Sequence, residues 1–150
     1  MAWEAQDLAT RYAEVRARTE RLAAPLSAED QMVQSMPDTS PTKWHRAHST
    51  WFFAEFALHA DGTSDRVWDR PEYRFLYNSY YDAVGARHPR PHRGLVTRPS
   101  MSEVADYRAH VDKEMVELLA GSIDADLVDV VLLGTHHEEQ HQERLLMDVK

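Results

Sequence analysis

Two histidines one helical turn apart, His137 and His141 in Thr135-His-His-Glu-Glu-Gln-His141, constrain this chain more than any other feature. Residues four apart share a face of a helix, so both imidazoles can reach one metal ion. Leu133 and Leu145 extend the same row. The histidines therefore interrupt an apolar stripe, which predicts that they point into the interior of a helical bundle. Histidines satisfied in a core or on a surface share this spacing, so a metal reading needs further donors.

The composition says which donors are available. The chain has no cysteine, so a metal would be held by histidine or carboxylate, and no thiolate nucleophile exists. Nine histidines are present, five of them in two short clusters, His45 and His48 and then His136, His137 and His141. A formal charge of −8 argues against a nucleic-acid surface. The start Met-Ala-Trp-Glu has neither a basic nor an apolar leader, and no run approaches a membrane span. The expectation is a cytoplasmic protein with no membrane and no nucleic-acid partner. The 150 residues suit one domain with a core of its own.

Leu8, Tyr12, Val15 and Leu22 recur at helical spacing and predict a first amphipathic helix over 4–24, stopped by Pro25. Ser27-Ala-Glu-Asp30 predicts a short capped helix to about Met36. Residues 37–41 form a connector. Ser40-Pro41 marks the start of a second long helix, with serine as cap and proline in the first turn, running to about Ala60. It carries Trp44, His45, His48, Trp51, Phe52 and Phe56. The aromatics are expected in the core, and either histidine could supply a third ligand. The periodicity then fades over 61–99, an irregular crossover of about 40 residues expected to hold a short helix over 72–83 and to carry function. Ser100-Met-Ser-Glu103 is a capping box, followed at helical spacing by Val104, Tyr107, Val111, Met115 and Leu118 as far as Gly121. A last helix starts within 122–126 and reaches Lys150 without a C-cap, so a longer parent protein is expected. The reading is an all-α four-helix bundle over residues 1–150 with a long irregular crossover between the second and third long helices.

Rival chemistries can be weighed on the motif. His137-Glu138-x-x-His141 satisfies HExxH, in which the glutamate serves as general base to a zinc-bound water. That pattern needs a third ligand downstream, and the nine residues after His141 contain no histidine. Glu138-x-x-His141 is also half of a di-iron carboxylate site, but a second Glu-x-x-His is missing, since Glu55 and His59 stand four apart. A mononuclear site with three histidines remains, two from the last helix and one of His45 or His48. Imidazole suits iron, zinc, copper or nickel, so spacing does not name the metal.

Four ordered blocks carry a resemblance. They are Ser40-Pro-Thr-Lys-Trp-His45-Arg-Ala-His48-Ser-Thr-Trp-Phe-Phe53, Leu76-Tyr-Asn-Ser-Tyr-Tyr-Asp-Ala-Val-Gly85, Arg87-His-Pro-Arg90-Pro-His-Arg93-Gly94 with Thr97-Arg98-Pro99, and His137-Glu-Glu-Gln-His141. Over about residues 37–150 the chain resembles the amino-terminal, DinB-like domain of the ergothioneine-biosynthesis sulfoxide synthases. The resemblance implies a DinB-like four-helix bundle joined to a carboxy-terminal domain similar to formylglycine-generating enzymes, a domain expected in a longer parent protein and not among these 150 residues. It implies an iron(II)-dependent oxidoreductase that uses O2 to join hercynine (trimethylhistidine) to the sulfur of cysteine or γ-glutamylcysteine as a sulfoxide. Fe(II) would be held by His48, His137 and His141, with His45 and His136 as neighbours without a ligand role. Gln140 would contact hercynine.

The resemblance also implies that an Arg-x-x-Arg pair binds carboxylates of the thiol. The frame is open between Arg87 with Arg90 and Arg90 with Arg93. Guanidinium forks suit carboxylates, and an acidic protein needs a local basic cluster to hold an acidic ligand. Asn78, Tyr80 and Tyr81 are expected to hold the crossover against the bundle. The alternative is a free-standing DinB-like metalloprotein with zinc or nickel in the same histidines, and either thiol-transferase activity or none.

Overall fold

The computed structural model describes residues 3–59, 66, 68–79, 81 and 83–150. Helix α1 (Ala5–Ala23) buries Leu8, Tyr12, Val15, Thr19 and Ala23, one stripe at helical spacing, with Arg16 the one charged residue buried beside them. Helix α2 (Thr42–Phe53) is buried at every position. It is the central element, packed against α4 (Met101–Ala120), α5 (Ala125–Asp148) and the crossover, with α1 closing the fourth corner. Within the crossover lie the short helix α3 (Tyr73–Tyr77) and a 3-10 segment, Arg90–Leu95. The architecture is an all-α four-helix bundle, with no strand among the described residues. Trp44, Trp51 and Phe52 are core residues and Phe56 packs against them. Full burial of such side chains contributes roughly 1.5–3 kcal/mol each.

The ends of the elements follow their caps. Ser100 accepts from the Glu103 amide and the Glu103 carboxylate accepts from the Ser100 amide, a complete capping box for α4, and Gly121 follows its last turn. Asp124 caps α5 through the Leu127 amide at 2.8 Å. Elsewhere the structure corrects the sequence reading. Ser27 and Asp30 make the expected reciprocal cap, but only a single 3-10 turn, Asp30–Met32, follows. Val33 and Met36 beyond it stay exposed, so there was no apolar face to extend a helix. Pro41, not Ser40, occupies the cap position of α2; the Ser40 hydroxyl instead accepts from Arg93 Nη1 at 2.9 Å. Downstream, α2 continues as a π-helical turn, Ala54–Leu58, ending at His59, while Ala60 lies outside the described residues.

In the crossover, the helix expected over 72–83 is cut to Tyr73–Tyr77 because Asn78 is extended and its amide ties the following loop. Asn78 Nδ2 donates to the Tyr81 and Gly85 carbonyls and Oδ1 accepts from the Tyr81 amide, which fits the structural role expected of Asn78 and Tyr81. Tyr80 lies outside the described residues. Gln34 fastens the other end: it accepts from the Gly94 amide at 2.7 Å and donates to the carbonyls of Thr39 and Arg90.

The contact between α2 and α5 sets the spacing of the site. A Cβ at Gly134 would stand 2.8 Å from Phe53 Cζ, so glycine is what lets the Phe53 ring lie against α5. Leu145 is buried as expected. Leu133 is 61% exposed, because the apolar stripe of α5 turns through Val131 and Gly134 and leaves Leu133 on the solvent side.

Candidate metal centre

His48 comes from the buried face of α2, and His137 and His141 from one face of α5. One ring nitrogen of each lies within 4.8 Å of the others. His48 is 1% exposed and His141 8%, with His137 the least enclosed of the three. Stacking orients the rings. His48 lies flat between Trp44, at 4.4 Å and 12°, and Trp51, at 5.6 Å and 15°, while Phe52 stacks on His137 at 4.6 Å.

Hydrogen bonds dispose the ring nitrogens. His48 Nδ1 lies 2.5 Å from the Tyr77 carbonyl, which only accepts, so this nitrogen carries the proton. In the neutral ring His48 Nε2 is then a lone pair, and it faces His137 Nε2 at 3.1 Å. His137 Nδ1 is buried without a partner. His141 turns Nδ1 to His45 Nδ1 at 3.0 Å. Burial holds all three imidazoles below their ordinary pKa, with the neighbouring imidazoles adding to the effect at His48 and His141. His137 is lowered to about 4. Neutral imidazoles with converging nitrogens and one orphaned buried Nδ1 are a donor set that suits a metal ion. The two histidines thought to be neighbours differ: His136 is exposed and pairs with Glu139, whereas His45 touches the site.

Glu138 is turned the other way. It is fully buried, donates no oxygen to the histidine group, and accepts from Arg16 Nη1 at 3.0 Å, Arg108 Nη2 at 3.1 Å and Thr19 Oγ1 at 2.7 Å. Burial alone would raise its carboxyl, but Arg16 and Arg108, helped by Thr19, hold it below the usual carboxylate range. A glutamate spent in this way does not serve as base to a metal-bound water, so the HExxH reading fails on geometry as well as on its missing ligand.

Beside His141 opens a cavity of about 240 Å³ whose walls include Arg90, Arg93, Gln140 and Arg144. Arg93 is buried, with its guanidinium carbon 3.4 Å above the Trp44 ring, Nη1 on Ser40 and Nη2 on Ser79. Its Nε has no partner. Burial, then Arg90 and Arg144, lower Arg93 to about 9, the mark of a cation gathered with like charges. Arg87 is exposed and is not among the residues lining this cavity. Arg144 escaped the sequence reading; its signal was its place on α5 three residues after His141, one turn further along the same side.

The DinB superfamily matches over residues 11–145. The chain belongs to the DinB superfamily. No match appears among curated proteins. The DinB match begins within α1, ends within α5 and includes both histidine clusters. No described helix is long and apolar enough to cross a membrane.

Proposed function

We propose that this DinB domain is the metal-binding part of a non-haem Fe(II)- and O2-dependent sulfoxide synthase that joins hercynine to a cysteine-containing thiol. One observation carries the reading: three neutral histidines converge beside a cavity walled by arginines and Gln140 in an acidic protein. The four sequence blocks quoted above supply the reaction class. Its overall balance is thiol R–SH plus imidazole C–H plus O2, giving the C–S(=O)–R sulfoxide and water. Fe(II), held by His48, His137 and His141, would supply activation of O2 and a binding position for sulfur.

The chain's own residues do the rest. Stacking by Trp44, Trp51 and Phe52 fixes the imidazole planes before anything binds, which reduces the ordering cost of binding. Arg90 and Arg93 share the cavity wall, which favours that pair over Arg87 with Arg90 as the carboxylate fork of the thiol. Gln140 stands on the same wall, where its amide can contact hercynine. A carboxy-terminal domain of the same enzyme would cover the open side. The second reading, a free-standing zinc or nickel protein, rests on the donor set alone, because three neutral imidazoles suit those ions as well as iron.

The test is a titration of cysteine and of γ-glutamylcysteine into anaerobic, Fe(II)-loaded protein, followed by addition of hercynine and O2 and mass analysis for the sulfoxide. The proposal expects a thiol-dependent change in the iron spectrum that Arg90→Ala weakens and Arg90→Lys does not restore, since an ammonium cannot make the paired contact. No spectral response to either thiol would contradict it and leave the zinc or nickel reading.

A further inference from the structure

The third wall of the histidine group is a hydrogen-bonded chain that reaches across from the far end of α5. Asp148 Oδ2 lies 2.8 Å from His45 Nε2 and also accepts from the Ser40 amide at 3.0 Å. His45 Nδ1 lies 3.0 Å from His141 Nδ1. His45 is 3% exposed. Asp148 stands seven residues after His141, two helical turns along the same face, so one helix supplies both ends of the chain and α2 supplies its middle. Neither HxxxH nor any neighbouring motif accounts for this arrangement.

Donor and acceptor counting gives the chain a direction. An ionised carboxylate only accepts, so His45 Nε2 carries a proton. If His45 is neutral, its Nδ1 is a lone pair and must receive the proton of His141 Nδ1. His141 Nε2 is then left with its lone pair. The opposite order would need a doubly protonated His45 and would put a proton on His141 Nε2, removing that nitrogen as a donor. On the other side of the group, the Tyr77 carbonyl fixes His48 in the matching form, with Nδ1 protonated and Nε2 free.

We infer that Asp148 and His45 are positioning residues that lock the tautomer and ring angle of His141, so that its Nε2 lone pair is presented to a metal ion together with His48 and His137. The pair acts through His141 and touches no substrate. Outer partners of this kind usually account for 10- to 100-fold in metal affinity. The inference rests on the three-histidine group and not on the sulfoxide reaction, so it stands or falls apart from that assignment.

Two measurements on the full 150-residue chain test it. Long-range proton–nitrogen correlation on 15N-labelled, metal-free protein reads the tautomers directly. The expected pattern is His141 protonated at Nδ1, His45 at Nε2 and His48 at Nδ1; a proton on His141 Nε2 overturns the inference without any variant being made. Competition titration with Co(II) then measures the consequence. His45→Phe keeps the bulk but loses both bonds, and should bind Co(II) about 10- to 100-fold more weakly. His45→Gln can donate to Asp148 and accept from His141, and should recover most of the loss. Unchanged affinity in His45→Phe would overturn the inference. Equal losses in the Phe and Gln variants would do so too, by reducing His45 to packing.

Discussion

The two sides of α5 make opposite use of buried polar groups. On one side Glu138 is saturated: Arg16, Arg108 and Thr19 surround it, and Gln142 one turn later donates to the Val15 carbonyl at 2.9 Å and to Thr19 Oγ1 at 3.0 Å. On the other side His137 and His48 face each other across 3.1 Å as potential donors, and His137 Nδ1 has no partner at all. The first side fixes where α5 lies against α1 and α4. The second brings together imidazole nitrogens that could hold a metal ion. A polar cluster complete within the protein serves the fold, and one that is incomplete is a site for something the protein binds.

The largest effect should come from breaking the complete side. Glu138→Ala removes the anion shared by Arg16 and Arg108, leaving Asp112 and Glu20 as their remaining carboxylate partners, and should cost about 3 kcal/mol in urea unfolding. On the incomplete side the same kind of change acts through the ligand. Free metal a hundredfold above its dissociation constant should stabilise the wild-type chain by about 2.7 kcal/mol, and His137→Ala should abolish that increment. Equal stabilisation of His137→Ala by metal would erase the distinction between the two sides. Gly134→Ala probes the spacing they share: its Cβ would press on the Phe53 ring and should cost about 1–3 kcal/mol by overpacking, with weaker metal binding as α5 is pushed off α2.

The smallest expected effect concerns Lys43, which is buried and donates to the Val96 and Pro99 carbonyls at 2.7 and 3.1 Å. Burial, then Arg98, lowers it from 10.5 to about 8. The unfolded chain therefore binds the extra proton between those values, and stability should rise with pH across that window. Lys43→Met should show a smaller rise. Parallel unfolding free energies for the two proteins from pH 8 to 10 would contradict the assignment.

How far the sequence could be read follows the same division. The pair His137 and His141, the Ser100 capping box and the apolar stripe of α1 are local patterns of fixed spacing, and the structure has them where the spacing put them. Glu138 was misleading because its partners are remote in sequence: Arg16 and Thr19 lie on α1 and Arg108 on α4. The choice between His45 and His48 was equally out of reach of spacing, since both occur on α2 within one turn. The rotation of α2 against α5 places His48 in the three-histidine group and His45 against Asp148. Leu133 failed for the converse reason, an apolar residue at the right period on a helix whose buried face drifts away from it.

Whether His48, His137 and His141 form one metal site is read by anaerobic titration of Fe(II) into protein purified without an affinity tag. The prediction is one ion per chain, with binding greatly weakened in each of His48→Ala, His137→Ala and His141→Ala and retained in His136→Ala. Stoichiometric binding that survives loss of His48, or no binding by the wild-type chain, would contradict it.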